Sequence, residues 1–194
     1  MRKIIRYFYV LSFLILQSTL VFANISIGKQ NAKVKVKVFS SLTCPHCASF
    51  HIKIFNKLKE EYIDNNKVYY EHFSFPLDLA ALNAEKIIKC ASNKDIAFKL
   101  LDSIYRNQNK WAVGEDINKI NNSLINLSVK FDLKKEKLNE CLKDENLQDQ
   151  ILSQRIEAQR NYKISSTPTI LINDKEYDGK HDFKSFKKQI DKNL

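Results

Sequence analysis

The stretch KVKVKVFSSLTCPHCASFH, residues 33–51, contains the pattern that decides the fold. Its first half alternates lysine with valine, which is the two-residue period of a β-strand with one buried face. From Cys47 onward, apolar positions recur at spacings of three and four, which is typical of an amphipathic helix. Cys44 and Cys47 therefore lie where a strand passes into a helix, with Cys44 at the start of the helix.

The start of a helix favours a thiolate at Cys44, because the first backbone N–H groups lack partners and the helix dipole presents partial positive charge there. Pro45 is compatible with the first turn, where its missing N–H costs nothing. His46 can stabilise a thiolate further by charge or by a hydrogen bond. Cys47 falls on the face turned towards the core. The sequence therefore predicts an exposed, activated Cys44 and a sheltered Cys47 that together close a redox-active disulfide.

Other uses of two close cysteines fit the sequence less well. Covalent haem attachment requires a histidine directly after the second cysteine, where this chain has Ala48. A structural zinc site requires a second close pair of ligands, and Cys90 and Cys141 are far apart in the sequence. A purely structural disulfide in so short a ring would remove little entropy from the unfolded chain. We expect no metal, with zinc held by the two cysteines and a distant residue as an open alternative.

The N-terminus has the pattern of a signal peptide. Arg2, Lys3 and Arg6 precede an apolar run that ends in the small residue Ala23, after which we expect cleavage. An uncleaved membrane anchor is the alternative. The formal charge of +10 is spread as scattered lysines without an arginine-rich block, so we predict no nucleic-acid partner. The four cysteines form an even count, which in an exported chain favours disulfides.

Helical periodicity fills the middle of the chain, apart from a loop predicted for NQNKWAVGED at residues 107–116. A second strand, KVYYEHFSF at residues 67–75, is followed by helix-period sequence over residues 78–162, where Asp132 and Asp144 are expected N-caps. Strand signals return with TPTILIND at residues 167–174, followed by a hairpin turn and a last helix. His51 is interpreted as a packing or capping residue, His72 as a hydrogen-bonded core residue and His181 as the cap of the last helix, and none is assigned to catalysis.

These segments predict an α/β fold class in which a mixed sheet is interrupted by an α-helical insertion. After a signal peptide of residues 1–23, the sheet domain is expected to comprise residues 24–77 and 163–194. The helical insertion is expected to comprise residues 78–162.

Two segments in the same order, IGKQNAKVKVKVFSSLTCPHCASF at residues 27–50 and STPTILINDKEYDG at residues 166–179, resemble the DsbA family of thiol:disulfide oxidoreductases. With the helical block between them, the resemblance is to the branch whose thioredoxin-like domain holds an inserted helical domain. It implies a periplasmic protein dithiol:disulfide oxidoreductase that needs no cofactor beyond the Cys44–Cys47 disulfide. It also implies reduced exported proteins as substrates and a membrane reoxidase of the DsbB type. We expect a monomer.

The resemblance assigns further residues. It implies that Thr167 and Pro168 form a cis-proline loop beside the active disulfide, with the Thr167 backbone binding the substrate peptide. The sequence alone leaves an edge-strand or strand-start proline as the alternative. For Cys90 and Cys141, two inert buried thiols and a disulfide between helices are both open. Export and related bacterial proteins favour the disulfide.

Two departures from the family leave alternatives open. Val38 occupies the position where thioredoxins and many DsbA proteins hold a buried carboxylate, and Glu71 on the neighbouring strand is a candidate substitute. Thr167 precedes the proline, as it does in disulfide isomerases of the superfamily, so an isomerase or reductase is the second functional hypothesis. The third is a non-catalytic metal-binding thiol module.

Overall fold

The computed structural model describes residues 25–194, which form a five-stranded mixed sheet in the order β1–β3–β2–β4–β5. The strands are β1 Ile25–Ile27, β2 Val34–Ser40, β3 Val68–Ser74, β4 Thr169–Ile172 and β5 Lys175–Glu176. Strands β2 and β3 are parallel, whereas β1 pairs antiparallel with β3, and β4 antiparallel with β2. The predicted α/β class with a mixed sheet is confirmed. The predicted signal peptide lies outside the described residues.

Strand β2 follows the predicted alternation over its first half. Val34, Val36 and Val38 are buried on one face, against the helix that carries Cys47, whereas Lys35 is exposed on the other. Phe39 is also buried. It points to the opposite face of the sheet, where it packs with residues of the long helix that precedes β4. Strand β2 is thus covered on both faces near its end, shortly before Cys44.

The helix after β2 begins at Pro45 and continues without a break to Ile63. It consists of α1 Pro45–Phe50, a π-helical turn His51–Phe55, α2 Asn56–Leu58 and a second π-helical turn Lys59–Ile63. The apolar stripe predicted from the three-and-four spacing is buried on the valine face of β2. This packing fixes the position of the helix start relative to the sheet.

Helices fill the chain between β3 and β4. They are α3 Leu79–Lys89, α4 Lys94–Arg106, α5 Gln108–Trp111, α6 Ile117–Ser128, α7 Lys135–Lys143 and α8 Glu145–Tyr162. None of the helices within residues 25–194 is long and apolar enough to span a bilayer.

The structure tests the two N-caps that were predicted in this helical segment, Asp132 and Asp144. Asp144 is confirmed as the N-cap of α8, where its carboxylate accepts the Leu147 N–H at 2.9 Å. The prediction for Asp132 is wrong: this residue adopts a left-handed conformation at the end of a short 3₁₀ turn, and α7 begins only after Lys134. An aspartate in the left-handed region closes a turn instead of opening a helix.

The C-terminal strands form the predicted hairpin. Asn173 and Asp174 have φ values of 48° and 63°, the left-handed conformation that a tight two-residue turn requires. Helix α9, Phe183–Asp191, begins after Asp182, whose carboxylate accepts the Ser185 N–H at 2.8 Å. The interpretation of His181 as the cap of this helix is therefore wrong.

Candidate active site

Cys44 is the N-cap residue of α1. Its backbone is extended, with φ −75° and ψ 120°, and its carbonyl accepts the Ala48 N–H at 3.1 Å. Pro45 occupies the first helical position, where a missing N–H leaves no unsatisfied group. The free N–H groups of the first turn therefore point towards the Cys44 sulfur.

The surroundings of Cys44 favour its thiolate. A hydrogen bond from the Cys47 thiol, together with hydrogen bonds from Thr167 and from the backbone N–H groups of Cys47 and His46, outweighs burial and lowers the Cys44 pKa to about 5. The His46 side chain is exposed and its imidazole makes no hydrogen bond within residues 25–194. His46 therefore stabilises the Cys44 thiolate through its backbone N–H group.

Cys47 has the opposite preference. Only 1% of its surface is exposed. Burial, followed by the hydrogen bond to Cys44 and the negative charge there, raises the Cys47 pKa well above its ordinary value. Both cysteines are free thiols in this structure, so the pair is seen in its reduced form. One sulfur is suited to be an anion and the other to hold a proton.

The prediction of an exposed Cys44 is wrong, because Cys44 is mostly buried. The residue keeps 8% of its surface accessible, because the Thr167 carbonyl and apolar residues of the helical block pack against it. It is still the more accessible of the two sulfurs. An attacking thiolate therefore reaches Cys44 before it reaches Cys47.

The loop before β4 lies directly beside Cys44. The Thr167–Pro168 peptide bond is cis, and the Cys44 Sγ lies 3.4 Å from the Thr167 carbonyl oxygen. The Thr167 hydroxyl is also buried here and contributes to the lowered Cys44 pKa. The structure thus brings together all four residues of the CPHC motif and the two residues that the resemblance assigns to substrate binding.

Gln108 is a site residue that the sequence did not reveal. Its side-chain amide donates to the Leu42 carbonyl at 2.8 Å and to the Cys44 carbonyl at 3.1 Å. It lies in α5, within a segment predicted to be a loop. Trp111 holds this short helix in place, because it is buried and its Nε1 donates to the Ile104 carbonyl at 2.8 Å. No spacing or motif links Gln108 to the cysteines.

Glu71 does not replace the carboxylate that is missing at Val38. Side chains alternate along β3, so Tyr70 and His72 are buried on one face, whereas Glu71 points to the other and is partly exposed. Val38 is itself buried and pairs in register with His72. An acidic group does reach this face of the sheet from α3, where Glu85 binds His72.

Cys90 and Cys141 form a disulfide that joins the end of α3 to α7, with a Cα–Cα distance of 6.1 Å. This is the pairing that export and related proteins favour. Across residues 25–194, no three or more His, Cys, Asp or Glu side chains are grouped as metal ligands.

Comparisons with known proteins identify the class. A family model described as thioredoxin matches residues 22–192, and the chain belongs to that family. The thioredoxin-like fold is confirmed by the alpha-DsbA1 protein of Wolbachia pipientis, which superposes with a TM-score of 0.81. That protein is 27% identical, and the match covers 87% of this chain and 89% of the other.

Named relatives point to the same branch. A Bacillus cereus protein named "Probable disulfide bond formation protein D" is 33% identical over 180 residues, which cover 87% of this chain and 78% of that protein. A Rickettsia bellii protein named "Putative protein-disulfide oxidoreductase" is 29% identical over 147 residues, or 76% of this chain. The chain spans only 56% of the length of that relative. These names confirm the predicted resemblance to the DsbA family and agree with the predicted enzyme class.

Proposed function

We propose that this protein is an exported thiol:disulfide oxidoreductase that donates the Cys44–Cys47 disulfide to reduced substrate proteins. The observation that carries the proposal is the placement of the two sulfurs: Cys44 is the N-cap of α1 beside the Thr167 carbonyl, whereas Cys47 is buried one turn later. This placement lowers the Cys44 pKa and raises the Cys47 pKa. A pair in which one sulfur is a stabilised anion favours the reduced state, so its oxidised form is a strong electron acceptor.

The reaction begins when a substrate thiolate attacks the Cys44 sulfur of the oxidised pair. A bond forms between the substrate sulfur and Cys44, the Cys44–Cys47 bond breaks, and Cys47 leaves as a thiolate that takes up a proton. Attack on Cys44 is favoured by access, because Cys47 is almost completely covered. The backbone of Thr167, directly beside Cys44, is suited to bind the extended substrate chain.

The second step releases the product. A second thiolate of the substrate attacks its own sulfur in the mixed disulfide, a substrate disulfide forms, and Cys44 leaves as a thiolate. A leaving group of low pKa departs faster, so the environment of Cys44 promotes this step. The substrate dithiol has lost two electrons, and the cysteine pair has gained them.

The proposal extends to location and partners. The cysteine pair serves as the redox centre, and its reoxidation requires an external oxidant, for which a membrane protein of the DsbB type is the expected partner. The substrates are reduced exported proteins in the periplasm, and the enzyme acts as a monomer. The signal-peptide pattern that ends at Ala23 supports export, and the name of the Bacillus cereus relative supports a role in disulfide bond formation.

Refolding of ribonuclease tests the proposal. Oxidised protein is expected to restore activity to reduced ribonuclease faster than to scrambled ribonuclease, and Cys44→Ser is expected to abolish the effect. Faster recovery of scrambled ribonuclease would favour the isomerase, the function suggested by the threonine before the cis-proline. Stoichiometric zinc in the purified protein, together with no activity on either substrate, would favour the metal-binding module.

A further inference from the structure

A cavity of about 480 Å³ lies between the helix that follows β2 and α4. Its lining within residues 25–194 includes neither cysteine of the CPHC motif nor Thr167. A concave site with apolar walls and a few polar groups is the usual form of a small-molecule site. The apolar residues that line this cavity come from four separate segments of the chain: Ile27, Phe55, Phe98 and Phe131. The cavity is therefore a candidate ligand site that the two steps of the proposed reaction do not use.

Two stacked phenylalanine rings form an apolar surface in the cavity. The rings of Phe55 and Phe98 have centroids 6.0 Å apart and planes only 9° from parallel. The Phe55 ring also packs against His51 and Tyr70, with centroid distances of 4.6 and 4.5 Å. These contacts hold the Phe55 ring in place, so the apolar surface exists before a ligand binds. An apolar ligand body on this surface would release water, which favours binding.

Polar side chains of α4 line one side of the cavity. Lys99, Asp102, Ser103 and Arg106 are spaced so that they share one face of this helix. Asp102 is the only carboxylate of this lining within residues 25–194, and it already has two partners. Its Oδ1 lies 3.2 Å from His51 Nε2, and its Oδ2 accepts a hydrogen bond from Arg106. The α4 side of the lining therefore offers positive charge to a ligand, but no carboxylate without a partner.

Arg106 is positioned to bind an anion. Its Nε donates to Asp102 at 2.7 Å, whereas its two terminal amino groups make no hydrogen bond within residues 25–194. A guanidinium binds a carboxylate by two parallel N–H···O bonds, so these terminal groups can hold a second carboxylate. Asp102 thus fixes the guanidinium without occupying the groups that a ligand would use.

Two lysines complete the cationic side of the cavity. Lys59 lines it but is ion-paired at 2.8 Å with Asp64, which is not part of the lining. Lys99 is exposed and forms no ion pair among the described residues. Lys99 and Arg106 are therefore the two cations that are available to a ligand.

We propose that this cavity binds a small amphipathic monocarboxylate. Its apolar body lies on Phe55 and Phe98, and its carboxylate binds the terminal amino groups of Arg106, with Lys99 as a second positive charge. A cationic ligand would meet Lys99 and Arg106 without a free carboxylate to bind. A neutral ligand would gain the apolar contacts alone. The lining thus selects a ligand that has both an apolar body and one negative charge.

Isothermal titration calorimetry of the whole protein tests this inference. Octanoate represents a fatty acid and phenylbutyrate an aromatic acid, the two sources of this chemistry. Binding of either one at a one-to-one ratio supports the inference, and the tighter of the two identifies the apolar body that the cavity accommodates. Octanol lacks the charge and should bind about tenfold or more weakly than octanoate. Octyltrimethylammonium reverses the charge and should not bind.

Three variants assign the binding to the cavity. Arg106→Gln should weaken octanoate binding by about tenfold or more and leave octanol binding unchanged. Ser103→Leu places a larger side chain in the cavity and should weaken both ligands. Lys110→Gln, at an exposed position of α5 outside the lining, is the matched control and should bind octanoate as the wild type does. If Arg106→Gln fails to fold, Lys99→Gln takes its place, because Lys99 forms no ion pair that folding would lose.

Three results would overturn the inference. They are no binding of either carboxylate, equal affinities for octanoate and octanol, and octanoate binding that neither Arg106→Gln nor Ser103→Leu weakens. The measurement does not involve the chemistry of Cys44 and Cys47. Its outcome is therefore independent of the ribonuclease test of the proposed oxidoreductase, and the two failures are distinguishable.

Discussion

The Sγ atom of Cys44 lies 3.4 Å from the carbonyl oxygen of Thr167, although 123 positions separate the two residues in the chain. The contact joins the start of α1 to the loop before β4, two segments held by neighbouring strands of the sheet. A substrate chain bound along this loop would present its sulfur to Cys44. The reactivity of the site then depends on which of the two cysteine sulfurs carries the negative charge, and the surroundings of Cys44 determine this.

The stability of the reduced protein is expected to depend on pH through Cys44. Its pKa is lowered from 9.0 to about 5 in the folded state, so its thiolate stabilises the reduced fold more as the pH rises from 5 towards 9. That stabilisation is lost as the pH falls through about 5. Well below pH 9, Cys47 stays a thiol in both the folded and the unfolded state and contributes no slope.

Thermal unfolding of the reduced and oxidised forms across this range measures the effect. The melting temperature of the reduced form, relative to the oxidised form, should increase with pH. Cys44→Ala lacks the thiolate, so the difference between its melting temperatures in reducing and non-reducing conditions should not change with pH. A difference that is independent of pH in the wild-type protein would contradict the assigned charge on Cys44.

Replacement of Cys47 should weaken the Cys44 thiolate. The Cys47 thiol is the largest cause of the lowered Cys44 pKa, because it donates a hydrogen bond to the anion. Cys47→Ala is therefore expected to raise the Cys44 pKa, whereas Cys47→Ser keeps a donor and should raise it less. Titration by thiolate absorbance compares the two. Equal pKa values in both variants would show that this hydrogen bond has no influence.

Gln108 should matter for the shape of the active-site loop. Gln108→Ala removes two hydrogen bonds to the carbonyls of Leu42 and Cys44, which is expected to cost about 1–3 kcal/mol of unfolding free energy and to slow substrate oxidation. Asn109→Ala, at an exposed position of the same helix, is the matched control. Urea unfolding measures both variants. If they lose the same stability, the anchoring role of Gln108 is wrong.

The Cys90–Cys141 disulfide is expected to stabilise the helical block. It closes a loop with a sequence separation of 51, for which loop-closure entropy gives about 4 kcal/mol at most. The double variant Cys90→Ala, Cys141→Ala should lose a large part of this in urea unfolding, and any effect of added reductant that remains should come from the Cys44–Cys47 pair alone. A double variant as stable as the oxidised wild type would show that the bond contributes nothing.

Local sequence patterns predicted most of the secondary structure that positions the active site. The valine alternation of β2 and the position of Cys44 before Pro45 are properties of neighbouring residues, so they are visible in the sequence. The edge strand Ile25–Ile27 escaped prediction because three residues are too few to show a period. Asp132 was misplaced because the same residue type favours both N-caps and left-handed turns.

The groups around the cysteines depend on contacts between distant segments. Gln108 reaches carbonyls 66 and 64 positions away, and no local spacing encodes such a contact. Glu85 lies in a helix that is buried on nearly all sides, whereas a glutamate at helical spacing is normally solvated. Its partner His72 was interpreted as a hydrogen-bonded core residue, and only the fold shows what it binds.

The pKa of Cys44 in the reduced wild-type protein tests the central claim most directly. Thiolate absorbance followed across the acidic and neutral range reports Cys44 alone, because Cys47 stays protonated there. The account predicts a transition near pH 5. A single transition near the ordinary value of 9.0 would contradict it, since neither sulfur would then be stabilised as an anion.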